Sequence, residues 1–479
     1  MKFSQLKLTS PYLKLEPLSF DKVDPTPLDK PFLISVSPDA AKLLGVDENL
    51  WEDEKLVEIV NGSRKLEGSE TFAMCYAGHQ FGYFVARLGD GRAINLGKVN
   101  GQNLQLKGSG LTLYSRLGDG RAVLRSSIRE YLMSEAMHGL GIKTSRALAL
   151  IGSDTDVARE RWEKGAIVLR LSPTWVRFGT FEFFNASREP KMLQELADYV
   201  IEESFEHLIA EEGCYLKMYA EIVKNTAQTI ASWMSVGFNH GVMNTDNMSI
   251  DGRTIDYGPF AFLDDYEGYY ICNRTDTGGR YSFKSQKGIG YWNLERLAIA
   301  MSPILNHDES TIILEGVFYE AYEDEYIKRM TARLGLFESD AGDMLFINTM
   351  LGRLEKATID FNLFFRKLSR YDGDKSLILD IAVSRAPLES WLDDYDARLK
   401  KETLSQEERH QKMLAVNPKY ILKNHILQEA IDLASEDDFS MVNDLLKVAL
   451  APCEEHEDLE HLCKPTPQRA KNTKLSCSS

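Results

Sequence analysis

Apolar residues run in strand-like stretches from Tyr83 to Leu88 and from Ala93 to Val99. The polar, glycine-containing Gly89-Asp90-Gly91-Arg92 between them predicts a hairpin. Leu104 to Lys107 extends the pattern as a third strand. The period then changes. Val123, Ile128, Leu132, Ala136 and Leu140 recur at helical spacing, which predicts a helix from Arg121 to Leu140, ending at Gly139 and Gly141. Strand-like runs return at Ala147–Ile151 and Ala166–Leu171. This region reads as a β-rich lobe with one prominent helix.

The flanks differ in pattern. Residues 1–75 mix short apolar stretches with Pro25, Pro27 and Pro31, and predict an extension that wraps the lobes, with a short helix near Asp39–Leu44. Lys191–Ala210 and Tyr219–Val236 read as long amphipathic helices. A polar loop, Gly237–Asn247, leads to Ile255-Asp256-Tyr257-Gly258, and from Trp292 to Leu450 nearly every segment is helical in period. The stretch from Ala451 is Pro-, Glu- and Lys-rich and predicts an extended or mobile tail. The fold class is therefore α+β, with a β-rich N-lobe over residues 76–175, a helical C-lobe over 176–450 and a tail over 451–479.

The chain has 479 residues, 43% of them hydrophobic, and a formal net charge of −16. That charge argues against broad binding to nucleic acid or to an anionic membrane surface, but not against a local basic pocket. No apolar run is long enough to span a bilayer, and the N-terminus resembles neither a secretory signal nor a transit segment. The expected location is cytoplasmic. Six scattered cysteines do not make a disulfide framework.

One string carries the first chemical hint. Leu-Gly-Asp-Gly-Arg-Ala occurs at Leu88–Ala93 and again at Leu117–Ala122, with Lys107-Gly108-Ser109-Gly110 between the copies. Glycine turns bring backbone N–H groups close to anions, and a guanidinium grips phosphate oxygens. Gly89, Gly91, Arg92, Asp119 and Gly120 are thus candidate walls of a polyphosphate pocket; two tight hairpin turns are the alternative. Two lobes around a nucleotide are the plan of protein kinases, which need a strand lysine, a helix glutamate to orient it, and oxygen ligands for a metal. Lys107 ends a predicted strand, and Glu130 lies on the helix that follows. Asn239–Asn247 precedes Asp256, and Asn247 with Asp256 suits Mg²⁺ or Mn²⁺. His240, Gly241 and Asn247 fit the loop spacing of small-molecule kinases, but Val242 stands where those enzymes carry a catalytic aspartate. An alkyl group accepts no proton, which leaves Asp246 as the available carboxylate. Arg170 and Arg177 flank the expected lobe junction.

Tyr76–Gly82, Leu88–Ala93, Gln105–Gly110, Leu117–Glu130, Arg170–Phe178 and His240–Gly258 together resemble the selenoprotein O (SelO/YdiU) family, and the Cys-Ser-Ser ending fits too. The resemblance implies a protein-kinase-like bilobal fold and transfer of AMP from ATP to Ser, Thr or Tyr hydroxyls of proteins, with the nucleotide flipped relative to a kinase. UMP from UTP with Mn²⁺ is implied as an alternative. It further implies that Lys107 and Arg170 hold the distal phosphates and that Glu130 orients Lys107. Gly89, Gly91, Arg92, Asp119, Gly120 and Arg177 would line the nucleotide, Asn247 and Asp256 would bind the metal, and Asp246 would accept the proton. A kinase that moves the γ-phosphate and a non-catalytic nucleotide-binding scaffold remain the competing readings.

Other signals carry less. Gly91–Val99 departs from a P-loop in spacing and in its final residue. Cys453, His456, His461 and Cys463 have zinc-ligand types at an unusual spacing. Cys272 and Cys477 are a candidate regulatory disulfide, prompted by the tail position of Cys477 and the family's redox association.

Overall fold

The computed structural model describes residues 1–46 and 49–476. Its N-terminal part is built on one sheet. The strands are β1 (Phe20–Lys22), β2 (Phe32–Val36), β3 (Phe72–Gln80), β4 (Tyr83–Gly89), β5 (Ala93–Val99), β6 (Gln102–Lys107), β7 (Ala122–Val123), β8 (Arg146–Ala158) and β9 (Trp162–Ser172). They lie in the order β1-β3-β5-β6-β9-β8-β2, with β4 on β3 and β7 on β9, and every pairing is antiparallel. The N-terminal segment therefore contributes the two edge strands β1 and β2.

The predicted hairpin between Tyr83–Leu88 and Ala93–Val99 does not form. Both strands pair with β3 instead: Gln80 faces Tyr83, Cys75 faces Gly89 and Phe72 faces Asn95. Three steps along β3 are thus matched by six along the facing chain, so Asp90-Gly91-Arg92 is a three-residue bulge between β4 and β5. The real turn is Phe81-Gly82, with both residues at positive φ. Local polarity marks a break in a strand equally well whether the chain reverses or bulges.

Period-two alternation explains what the sheet presents. Leu104, Leu106, Ile167, Leu169 and Leu171 point to one face, where they pack with Phe3, Leu6, Ala40, Leu44, Leu56 and Ile59 of the N-terminal segment. Gln105, Lys107 and Arg170 alternate onto the other face. That face is covered by the long helix Leu124–Gly139, whose Ile128, Leu132 and Ala136 join a core running into the C-terminal part. The helix starts three residues later than its spacing predicted, because Ala122–Val123 is drawn into the sheet against β9.

The C-terminal part is helical, with the longest helices at Cys214–Val236 and His307–Leu334. The helices Asn424–Ala434 and Ser440–Leu450 return to pack against Leu124–Gly139 and tie the two parts together. The described part of the tail carries short 3-10 helices at Glu457–Cys463 and Gln468–Ala470 and is anchored by buried Leu459, Leu462 and Leu475. Leu475 bridges to the Cys272–Arg274 segment. Cys272 is buried and its thiol donates to the Pro259 carbonyl at 2.8 Å; Cys477 lies outside the described residues. Among the described residues no helix is long and apolar enough to cross a membrane. His456 and Cys463 bond the carbonyls of Ala451 and Glu460, and no group of three or more His, Cys, Asp or Glu among the described residues is arranged to hold a metal ion.

Candidate active site

A cavity of about 560 Å³ opens between the sheet and the helical part. This lies within the ~300–1,000 Å³ of small-molecule sites. Gly89, Gly91, Arg92, Lys107, Asp119, Gly120, Glu130, Arg170, Arg177, Asp246, Asn247 and Asp256 all line it. Residues drawn from five separated stretches of sequence meet in one cleft.

Its floor is an ion-pair network. Lys107, at the end of β6, sits 2.7 Å from Glu130 and 3.1 Å from Asp256. Arg170, on the neighbouring β9, bonds Glu130 at 2.7 Å and Asp256 at 3.0 Å. Arg177 bonds the other oxygen of Asp256 at 2.9 Å and the backbone carbonyl of Asp246 at 2.9 Å. Both guanidiniums lie on aromatic rings, Arg170 at 4.6 Å from Trp175 and Arg177 at 4.4 Å from Tyr76, so their planes are held as well as their charges. Burial opposes the charge on Asp256, but Lys107, Arg177 and Arg170 outweigh it and hold its carboxyl well below the usual range. Glu130 follows the same balance, with Lys107 and Arg170 prevailing. Burial draws Lys107 downward while Glu130 and Asp256 oppose it. Asp256 holds a left-handed backbone at φ 56°, a costly state for a non-glycine residue that its three cationic partners help maintain.

The loop before it is organised by buried polar contacts. Burial keeps His240 neutral; its Nε2 donates to the Ile255 carbonyl at 3.0 Å, which leaves Nδ1 to accept from the Val242 amide. Asn247 donates Nδ2 to the Val242 carbonyl at 3.0 Å, turning its amide oxygen the other way. Asp246 is 7% exposed, and burial raises its pKa to about 6. One of its oxygens accepts from Gln80 at 3.1 Å, while the other, Oδ1, is buried without a hydrogen-bond partner. β3 reaches this loop because residue 78 is glycine: a Cβ there would lie 2.7 Å from Asp246 Oδ1. Val242 lines the cavity and brings no titratable group to it.

The two glycine-turn copies contribute differently. The Arg92 side chain makes no hydrogen bond or ion pair among the described residues and presents its charge to the cavity. Asp119 is engaged by Arg159 at 2.7 and 2.9 Å, and Arg121 donates to the Thr26 and Pro27 carbonyls. Arg159, Gln80 and Arg116 line the cavity and escaped the sequence reading. Arg159 follows the predicted strand Ala147–Ile151 in a stretch with no strand pattern, and Gln80 carries no charge to draw notice.

The match to a family model described as protein adenylyltransferase SelO spans residues 2–449. A protein nucleotidyltransferase YdiU from Myxococcus xanthus is 45% identical over 485 residues, covering 99% of each chain. The protein of the same name from Aliivibrio fischeri is 44% identical over 484 residues, covering 100% of this chain and 99% of its own. That from Pseudomonas fluorescens is 43% identical over 463 residues, covering 95% of each. A cleft of paired acids and arginines on an α+β frame, with these relatives, defines an enzyme of the protein nucleotidyltransferase class. The chain belongs to the SelO/YdiU family.

Proposed function

We propose that the chain transfers AMP from ATP to Ser, Thr or Tyr hydroxyls of proteins, with UMP from UTP as the alternative donor reaction, on a protein-kinase-like bilobal fold. The N-lobe, residues 76–175, and the C-lobe, residues 176–450, enclose the nucleotide between them. The observation that carries this reading is the pair Val242 and Asp246: the position where a γ-phosphate kinase keeps its base is alkyl, and a buried carboxyl of raised pKa stands four residues on.

In this reaction the acceptor oxygen attacks the α-phosphorus, the bond to the β-phosphate oxygen breaks, and pyrophosphate leaves. Asp246 accepts the hydroxyl proton, and its unpartnered Oδ1 is the atom free to do so. Lys107 and Arg170 hold the distal phosphates, with Glu130 orienting both cations at 2.7 Å. Arg177 and Arg92 stabilise charge that grows on the leaving group. Gly89, Gly91, Asp119 and Gly120 shape the walls, Asp119 through Arg159.

Asn247 and Asp256 offer amide and carboxylate oxygens, a donor set that fits Mg²⁺ or Mn²⁺ with phosphate oxygens completing the shell. When bound, such an ion would neutralise phosphate charge and fix the triphosphate's orientation. Lys107, Arg170 and Arg177, which share the Asp256 carboxylate, would turn to phosphate oxygens were that carboxylate engaged by a divalent ion.

Incubation with ATP labelled at the α- or the γ-phosphate tests the reading. α-Label on protein is the expected result. γ-Label on product would instead establish a kinase, and no label on any acceptor a non-catalytic scaffold. Asp256→Ala is expected to abolish transfer while the fold persists; full activity in that variant removes the assigned site.

A further inference from the structure

A second cavity, of about 490 Å³, lies in the helical part between the helix Phe361–Leu368, the Pro418–Lys423 segment and the tail near Leu462–Pro465. Its charge is the reverse of the chain's. Acids outnumber bases over the whole sequence, 72 to 56, yet six basic and two acidic side chains line this cavity. Leu363, Ile381, Ile421 and Leu462 provide apolar wall between the cations.

Some of the cations are structural. Lys423 is committed to Asp360, and Lys419 to Glu455 and Glu460. Arg366 donates to the carbonyls of Leu414 and Asn417 and pairs with Glu455 at 2.7 Å. Lys367 and Lys464 are different: neither side chain makes a hydrogen bond or ion pair among the described residues, although both residues line the cavity. Free ammonium groups beside aliphatic wall match a ligand with an anionic head and an apolar body. The concave form and limited volume favour a small molecule over a peptide laid along a surface.

We infer that this cavity is a binding site for a small amphipathic anion, a carboxylate or phosphate monoester on an aliphatic chain, separate from the nucleotide cleft. Lys367 and Lys464 hold the head, and Leu363, Ile381, Ile421 and Leu462 hold the chain.

The test is titration calorimetry of the full chain with octyl phosphate and with octanoate, repeated with octanol and with saturating ATP and Mg²⁺. Saturable one-to-one binding of either anion, unaffected by ATP, is expected. The half-buried Lys367 and the exposed Lys464, replaced together by Lys367→Glu and Lys464→Glu, break no side-chain ion pair among the described residues, and the change should weaken that binding at least about tenfold. Leu363→Asp is a second, independent variant and should weaken it similarly. Equal binding of octanol, displacement by ATP, unchanged affinity in the charge-reversed protein, or binding of an acidic peptide but of neither anion would each overturn the assignment.

Discussion

The same six residues, Leu-Gly-Asp-Gly-Arg-Ala, adopt two structures in one molecule. In the first copy the acid is inside. Asp90 is 3% exposed and accepts from the Met74 amide at 3.1 Å, Asn95 at 3.1 Å and Gln105 at 3.2 Å, while Arg92 faces the cleft without a partner among the described residues. In the second copy the roles are exchanged. Asp119 is exposed and held by Arg159, while Arg121 is spent on the Thr26 and Pro27 carbonyls. An Asp-Gly turn therefore does not specify which of its side chains serves the site; the surrounding strands do. The first copy lies against β3 as a bulge and must satisfy a buried carboxylate. The second leads into β7 on β9, and its Asp119 meets water.

The comparison can be broken most forcefully at Asp90. Asp90→Ala removes the acceptor shared by the Met74 amide, Asn95 Nδ2 and Gln105 Nε2, and leaves buried Arg177 without its 4.0 Å neighbour, so it should lower unfolding free energy by about 3 kcal/mol or more. Urea titration reads this directly. A loss below about 1 kcal/mol would mean that the network is not carrying the bulge.

Gly120→Ala should come next. Its φ is 69° and a Cβ would lie 2.1 Å from the Gly110 carbonyl oxygen, so a loss of about 1–3 kcal/mol is expected. The paired control is Gly118→Ala, where φ is ordinary and the nearest atom is 3.1 Å away; it should stay within about 0.5 kcal/mol. Equal effects at the two glycines would show that the loop rearranges freely.

The arginines separate binding from stability. Arg92→Ala should raise KM for ATP about tenfold, the value of one charged hydrogen bond, with thermal stability unchanged. Arg121→Ala should do the opposite, with a small loss of stability and an unchanged KM. Steady-state kinetics beside melting curves decide between the copies.

The smallest effect is a difference in sign. Burial raises the pKa of Asp90, so its contribution to stability is full below the ordinary value near 4 and is lost as pH rises through the raised folded value. For Asp119 burial opposes ionisation, but the hydrogen bonds from Arg159 prevail and lower the pKa. Its contribution is present above the ordinary value and is lost as pH falls through the lowered one. Asp119→Asn should therefore cost at most about 1 kcal/mol at neutral pH, given its exposure, and should flatten the acid limb of the stability profile. Asp90→Asn should flatten the limb above pH ~4 instead. Matching slopes in the two variants would remove the contrast.

Much of the cleft's chemistry was legible in the sequence. Lys107, Glu130, Arg170 and Asp256 were each marked by an element boundary, a charge and a position in chain order, and all four meet in one ion-pair network. Asp246 was marked as the carboxylate the loop offers once Val242 is seen to bring none, and it lines the same cavity. Arg159 and Gln80 were not legible. The first acts on a residue 40 positions away, and the second on one 166 away, and neither carries a local pattern. The Tyr83–Val99 hairpin failed for a related reason: hydrophobic alternation reports strands, not which strand they pair with.

What the sequence alone determined is the order of the β-rich and helical parts, the face of each strand and the chemical types available to the cleft, since periodicity and side-chain identity are local properties. What the tertiary structure decided is which of two identical turns buries its acid and which offers its arginine. That choice depends on partners brought from elsewhere in the chain, and desolvation beside β3 or exposure beside Arg159 exists only once the fold has closed.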